Sequence, residues 1–284
     1  AVTVSTFTYD IGIPTASLAT AAFINVAVTS ITGTVSDAPA GVASIGIAIS
    51  SNNGAAGSWL TSVNNGVFTA ASAVYLATSA PASFSPGTDA WSRDIAGAMT
   101  LEDGKSYRVD AHVVDKAGNV KDETPGTFLY DVSKPTATIS SPANASYLKG
   151  TITISGGSGD PAPAGLAASQ VSTVSVSIRN QTNNLCYVWG GGFTAGCPNF
   201  IPAAGAVGAW TFTPAPNPFQ TGQSYVVLAR GVDLAGSTQT VFSAGISSVT
   251  FIYDTGVPVV GVILATSREL DLSTLAGSAG DPDS

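Results

Sequence analysis

Apolar and polar residues alternate with a period of two along most of the chain. Tyr107, Val109, Ala111 and Val113 fall on one side of such a run, and Arg108, Asp110, His112 and Val114 on the other. Tyr225, Val227, Ala229 and Gly231 repeat the inward series. Ile45, Ile47 and Ile49 alternate with Gly46 and Ala48, and Val174, Val176 and Ile178 with Ser175 and Ser177. A period of two sends successive side chains to opposite faces of a pleated strand, whereas a helix face needs apolar residues three and four apart. The runs are short, rich in β-branched residues and broken by Gly, Pro, Asn and Asp clusters, and no helical stripe emerges. The pattern predicts an all-β fold of antiparallel sandwiches.

The runs are organised by a repeat. Phe7-Thr8-Tyr9-Asp10-Ile11-Gly12-Ile13-Pro14 returns as Phe128-Leu129-Tyr130-Asp131-Val132-Ser133-Lys134-Pro135 and as Phe251-Ile252-Tyr253-Asp254-Thr255-Gly256-Val257-Pro258. The three Asp residues are 121 and 123 residues apart, which predicts a tandem array of domain-sized units. Each copy is followed by a Gly and then an Asp at the end of a β-type run: Gly33 and Asp37, Gly156 and Asp160, Gly277 and Asp281. Further along, Gly104-Lys105-Ser106-Tyr107 matches Gly222-Gln223-Ser224-Tyr225. Asp115-Lys116-Ala117-Gly118-Asn119 matches Asp233-Leu234-Ala235-Gly236-Ser237, and Trp91 matches Trp210. Tryptophans that recur in register are expected in the core.

This register divides the chain into four parts: residues 1–9 as the final strand of a preceding unit, a first complete unit at 10–130, a second at 131–253, and the start of a third at 254–284. It predicts a segment of a longer array. The alternative is an open sheet completed by a strand from a neighbouring molecule.

The run from Asp103-Gly104-Lys105-Ser106-Tyr107 through Asp115-Lys116-Ala117-Gly118-Asn119 to Thr127-Phe128-Leu129-Tyr130-Asp131 resembles the bacterial Ig-like repeat family. Such repeats are strung in long arrays in bacterial surface proteins and adhesins. The resemblance implies that Gly-x-Ser-Tyr opens strand F, that Asp-x-Ala-Gly-Asn forms the F–G turn, and that Thr-Phe-x-Tyr-Asp is strand G running into the next unit. The second unit departs from the family at Ser237, where Asn is common, and adds a cysteine pair. The resemblance covers essentially the whole chain and speaks to fold more than to function, because the module serves as a spacer as often as a binder.

Composition narrows the setting. Only 10% of residues are charged and the net charge is −8, so no basic stripe exists to engage nucleic acid. The longest apolar run, Val257 to Ala265, is strand length and contains Pro258, far short of the roughly 18 apolar residues that span a bilayer. Cys186 and Cys197 flank Gly190-Gly191-Gly192, which reads as a hairpin turn that brings the thiols across from each other. A disulfide is the expectation and two buried thiols the alternative; a disulfide fits an extracellular or cell-surface setting.

Catalysis is not supported. The single histidine, His112, lies on the outward face of its strand, and its counterpart in the second unit is Arg230. Carboxylates offer more. In an Ig-type sandwich the entering chain and the B–C and F–G loops share one pole, which brings together Asp10, Asp37 and Asp115 in the first unit and Asp131, Asp160 and Asp233 in the second. The third copy has Asp254 and Asp281, with Asp283 nearby, and Glu102 and Asp103 are expected beside the second cluster. Oxygen ligands from a linker and two loops suit Ca²⁺, the one candidate cofactor, which would stiffen the junction between units. Each acid also has a local explanation as a turn residue accepting backbone N–H groups. Trp59, Tyr187 and Trp189 lie in the variable region between anchors, as candidates to stack on a sugar or to cover a hairpin.

Together these features predict a stalk or filament segment of a large extracellular surface protein, partnered by further repeats of its own chain or by like subunits in a fibre. An adhesin binding glycan or a cell-surface protein through variable loops is one alternative. An accessory module of a secreted carbohydrate-active enzyme is another.

Overall fold

The computed structural model describes residues 7–62, 66–78, 84, 87–96, 99–263 and 276–281. Residues 1–6 of the expected leading strand, and Asp283, lie outside these. Two compact units emerge: one of residues 1–133, 161–169 and 234–237, the other of 134–160, 170–233 and 238–284. The described residues contain strands and turns and no helix.

The first unit holds β1 (Thr15–Leu18), β2 (Phe23–Ile24), β3 (Ser30–Asp37), β4 (Val42–Ser50), β5 (Trp59–Leu60), β6 (Phe68–Ala70), β7 (Leu76–Ala77), β8 (Gly87–Asp94), β9 (Lys105–Asp115) and β10 (Val120–Tyr130). They form a sheet of order β1-β3-β8 and a second of order β2-β10-β9-β4-β5-β6, with β7 also paired to β4. The first edge switches sheets: β1 pairs antiparallel with β3, and β2 then pairs parallel with β10.

The second unit repeats this order with β11 (Thr136–Ser141), β12 (Ser146–Leu148), β13 (Ile154–Gly159), β14 (Val171–Asn180), β15 (Cys186–Val188), β16 (Gly192–Ala195), β17 (Ile201–Pro202), β18 (Ala204–Ala206), β19 (Ala209–Phe212), β20 (Gln223–Asp233) and β21 (Ser248–Tyr253). Its sheets run β11-β13-β19-β18 and β12-β21-β20-β14-β15-β16, with β17 on β14. Finally β22 (Val259–Ile263) pairs antiparallel with β23 (Ala276–Gly280). The pairing register is common to all three copies: Thr15 faces Ser36, Thr136 faces Gly159, and Val259 faces Gly280, each time one residue before the Asp.

The period-two reading holds where both faces are defined. Along β20, buried residues alternate with half-buried ones from Tyr225 to Asp233. The inward series of β4, β9 and β10 meets Ile31, Val35 and Trp91 of the other sheet in one core. Val176, Ile178, Tyr225, Val227 and Phe251 meet Ile154, Trp210 and Phe212 in the second. Both recurrent tryptophans are buried, and each indole N–H donates to a backbone carbonyl of the central strand beside it, Trp91 to Thr34 at 3.0 Å and Trp210 to Gly157 at 2.9 Å. The two tyrosines of the Gly-x-Ser-Tyr motif are likewise equivalent. Tyr107 Oη accepts the amide of Glu102 and Tyr225 Oη that of Gln220, both at 2.9 Å. Burial raises the pKa of both phenols.

Two features depart from the simplest repeat. Phe7 to Asp10 carry no strand; Phe7 is exposed although its counterparts Phe128 and Phe251 are core residues, and Tyr9 is exposed although Tyr253 is buried and Tyr130 packs partly buried against its core. In the first unit β10 starts straight after the Asp115–Asn119 turn, whereas in the second residues 239–247 intervene before β21. Gln239 anchors that inserted loop: its Oε1 accepts the amides of Ala137 and Gly231, and its Nε2 donates to the carbonyl of Val241.

Candidate functional site

At one end of the first sandwich, Asp10, Asp37 and Asp115 present carboxylate oxygens within 4.8 Å of one another. Sheet topology puts them there. Asp37 ends β3, Asp115 ends β9, and Asp10 lies on the incoming segment five residues before β1. All three are buried.

Each acid also holds a loop. Asp10 Oδ1 accepts the amide of Gly12 at 2.7 Å and Oδ2 that of Ala40 at 2.8 Å. Asp37 Oδ2 accepts the amide of Gly41 at 2.9 Å. Asp115 accepts both the backbone and side-chain N–H groups of Asn119, at 2.8 and 2.7 Å, and Asn119 Nδ2 also reaches the Asp10 carbonyl at 3.2 Å. The incoming segment, the β3–β4 loop and the β9–β10 turn are thereby tied together. A Cβ at Gly12 would sit 3.0 Å from Asp10 Oδ1 and 3.2 Å from the Ala38 carbonyl, so the approach is close.

The charges are unequal in consequence. Burial, then the neighbouring Asp10 charge and, more weakly, the Asp115 charge, push Asp37 above the ordinary carboxylate value, with the Gly41 amide opposing them. Asp115 is also subject to desolvation, but the Asn119 side chain and the turn amides outweigh it and hold the group below the ordinary value. A hard cation has oxygen donors here from three chain segments, and the destabilised Asp37 charge gains most from one.

The linker Asp has the same local role in every copy. Asp131 Oδ1 accepts the amide of Ser133 at 3.1 Å and Asp254 Oδ1 that of Gly256 at 2.7 Å, as Asp10 does with Gly12. Asp131 Oδ2 further accepts the amide of Ser169 at 2.6 Å. Asp160 follows β13, Asp233 ends β20 and Asp281 follows β23, each at the chain position held by its first-unit counterpart.

Glu102 and Asp103, expected beside the second cluster, have their own partners. Asp103 Oδ1 accepts the Val132 amide at 2.9 Å and Oδ2 the Ser133 hydroxyl at 2.7 Å, so this carboxylate fixes the linker. Desolvation opposes its charge, but the Ser133 hydroxyl and the nearby amides prevail and its pKa is lowered. Glu102 is exposed and pairs with Lys105 at 2.7 Å.

The aromatic candidates separate. Trp59 is 5% exposed and Tyr187 1%, so neither offers a ring to a ligand. Trp59 packs beside the Arg108 guanidinium, and Tyr187 Oη bonds both to the carbonyl and to the amide of Ala215. Both lie on hairpins that extend the larger sheet, Tyr187 within the second core and Trp59 beside Arg108, which the variable region between repeat anchors did not reveal. Trp189, just beyond β15, is 57% exposed and meets Phe212 edge-on at 5.9 Å.

Cys186 and Cys197 form the expected disulfide across the β15–β16 hairpin. Gly190 and Gly192 make the turn at φ of 71° and 68°, where side-chain-bearing residues are disfavoured.

One recurrent contact is not apparent from the sequence motifs. Tyr75 lies 5.2 Å from the His112 ring, whose Nδ1 is 2.6 Å from Asp122 Oδ1. The second unit has Phe200 in the matching place, 3.9 Å from the Arg230 guanidinium. The residues following these two aromatics pair alike, Leu76 with Ile47 of β4 and Ile201 with Val176 of β14. Each unit thus covers the outer face of its larger sheet with an aromatic ring against a cationic or titratable side chain. The matching Tyr-Leu and Phe-Ile pairs were the available signal, hidden by unequal insertions.

No family model and no curated protein matches the chain. The chain is similar to a number of solved structures, three of which follow. Fibronectin(III)-like modules of Clostridium thermocellum CbhA share 12% identity at a TM-score of 0.37, over 85% of this chain and 94% of that one. The sialic acid binding region of the Streptococcus sanguinis SK1 adhesin, bound to 3'sLn, shares 10% at 0.25, over 86% and 78%. Dimeric latent PorU from Porphyromonas gingivalis shares 11% at 0.24, over 88% of this chain and 25% of that one. Among the described residues no helix is long and apolar enough to cross a membrane. The assignment of β-sandwich modules rests on the sheet order itself.

Proposed function

We propose that this chain is a structural segment, a stalk or filament module, of an extracellular surface protein built from tandem Ig-like repeats. The observation that supports the reading best is the recurrence of one strand order, one pairing register and one Asp-closed turn along the chain. A spacer needs identical modules and linkers with few conformations, and a closed turn followed by proline supplies the second. The disulfide and the sparse charge suit an exterior setting. The reading assigns no catalytic role, and its partners are further modules of the same chain or like subunits.

Small-angle scattering tests the proposal. A single compact globule of 284 residues has a radius of gyration of about 19 Å. A stalk is expected to exceed that by half or more, and a value near that of the globule would overturn the reading.

The same reading takes Ca²⁺ as the ion for Asp10, Asp37 and Asp115. At tenfold excess over its Kd, calcium is expected to stabilise the first unit by about 1.4 kcal/mol in thermal melting. Asp37→Asn should abolish that response and, without calcium, melt no lower than the parent, because Asn keeps an acceptor for Gly41. The pH dependence follows from the raised pKa of Asp37. Its charge costs stability at neutral pH, and the cost is relieved as pH falls through the folded value toward 3.8. Asp115 acts oppositely, losing its contribution only as pH falls through its lowered value. Mild acid should therefore raise the calcium-free melting temperature in the parent and not in Asp37→Asn. An unchanged melting profile with calcium would eliminate the ion.

A second reading is adhesion, favoured by the exposed indole of Trp189. Glycan-array binding that disappears in Trp189→Ala, with melting unchanged, would establish it; an array without signal leaves the spacer.

A further inference from the structure

The outer face of the larger sheet in the second unit carries a groove of about 420 Å³. Val226 and Leu228 of β20 and Ser248 of β21 line it, together with the Cys186–Cys197 disulfide, Phe242 of the inserted loop and Arg179 of β14. Arg179 is exposed, and among the described residues its guanidinium has no hydrogen bond or ion pair.

The first unit shows what an arginine on this face does when the chain provides for it. Arg108 binds Asp110 through two parallel bonds, Nε to Oδ1 at 2.6 Å and Nη2 to Oδ2 at 2.8 Å. In the second unit Val226 and Leu228 occupy these two β20 positions, as the shared pairing of β4 with β9 and of β14 with β20 shows. The acid is gone, an aliphatic floor stands in its place, and an arginine has entered from the facing strand, directly opposite Val226. Residues 239–247 and the disulfide-tethered segment raise walls that include Phe242 and Pro198.

We propose that this groove binds an extended peptide segment of a partner protein in which a carboxylate neighbours aliphatic side chains. The carboxylate takes the bidentate place on Arg179 that Asp110 takes on Arg108, and the aliphatic groups cover Val226, Leu228 and Phe242. The polar inventory favours a peptide over a sugar. Ser177 Oγ is buried and already accepts the Asn199 amide at 3.1 Å, leaving Ser248 as the accessible hydroxyl of the groove. A sugar ring brings many hydroxyls and needs a partner for each, whereas this floor is aliphatic.

Titration of the isotope-labelled full chain by amide NMR tests this, using acetyl-Leu-Asp-Leu-amide, its Asn analogue and glucuronate as probes. The Asp peptide is expected to shift Arg179, Val226, Leu228 and Ser248 in the millimolar range and to bind about fivefold more tightly than the Asn peptide. Arg179→Gln, a change at an exposed position, should erase that difference. Leu228→Asp, which restores the acid found in the first unit, should abolish binding of both peptides. Equal affinity for the two peptides, shifts that map elsewhere, or no shift up to about 10 mM would overturn the proposal. Saturation by glucuronate at lower concentration than the Asp peptide would reassign the groove to acidic glycans.

Discussion

Gly156→Ala is expected to unfold the second sandwich at temperatures where the first remains folded. Gly156 lies in β13, the strand between β11 and β19, paired with Ile139 on one side and Trp210 on the other. A Cβ there would fall 1.8 Å from the Thr138 carbonyl oxygen and 2.7 Å from Trp210 Cζ2. The first obstacle is backbone held by a sheet ladder, and the second is a ring locked by its bond to the Gly157 carbonyl. Neither has room to give in a close-packed interior. The cost is expected on the order of 4 kcal/mol, above the usual range of about 1–3 kcal/mol for overpacking because backbone as well as a ring must move. In a sandwich of this size that lowers the melting temperature by about 15 °C. Gly33→Ala should do the same to the first unit, where a Cβ would meet the Ser17 carbonyl at 1.9 Å and Trp91 Cζ2 at 2.5 Å. Calorimetry that resolves two transitions assigns each loss to its unit. Trp210→Ala alone should cost about 3–5 kcal/mol. If the ring were the main obstacle, adding it to Gly156→Ala would cost little more. Because the carbonyl is nearer, the double variant should be worse than either single one. A Gly156→Ala protein melting within a few degrees of the parent would refute the account.

This pair explains why some of the fold was legible and some was not. Gly33 and Gly156, and Trp91 and Trp210, stand out in the sequence because each recurs in register, and a recurrent position is one that packing constrains. That the Gly exists to admit the Trp ring and a crossing carbonyl is a three-dimensional fact with no trace in the spacing. The linker aspartates divide in the same way. Their position and their turn chemistry are both local, and Asp10, Asp131 and Asp254 all accept the amide two residues on. The convergence of Asp10, Asp37 and Asp115 follows from sandwich topology, so it was accessible once the strands had been ordered. Asp103 lies beside the linker and accepts from Val132 and Ser133, contacts that only the folded geometry reveals.

The variable regions were read least well, and for one reason. A hairpin added to a sheet edge acquires an inner face, and sequence does not say which residues it turns inward. Tyr187 and Trp189 share the parity of one strand face, yet β15 ends at Val188 and the turn carries Trp189 into solvent. Tyr187 remains on the strand and joins the core through edge contacts with Phe193 and Phe212. The groove at Arg179 was hidden for a related reason. It depends on the loop at 239–247 and on the cysteine pair, both departures from the repeat, and no repeat-based argument reaches it.

Removing the disulfide is expected to cost nearly as much as the core glycine substitutions and to link stability with that groove. Cys186 and Cys197 are 11 residues apart, and closing a loop of this size is worth about 3 kcal/mol in the unfolded-chain entropy account. Other contacts also restrain the segment after Cys197. Asn199 donates its amide to Ser177 Oγ and its side-chain N–H to the Tyr187 carbonyl at 2.8 Å, and β17 pairs with β14. These contacts exist only in the folded state, so they leave the unfolded chain unrestrained and do not replace the cross-link. Cys186→Ala with Cys197→Ala should therefore lower the second transition by about 10 °C and leave the first, whose unit has no cysteine, in place. Alanine is preferable to serine because Cys186 is buried and a hydroxyl there would need a partner. Reduction of the parent separates the two contributions to the loss, since it keeps both sulfur atoms and removes only the bond. If the cross-link dominates, reduced parent and double variant should melt together, and the Asp peptide should bind both more weakly as the Pro198 wall loosens. A loss below about 1 kcal/mol would show that the cross-link restrains the unfolded chain far less than its loop length predicts, and would overturn this account.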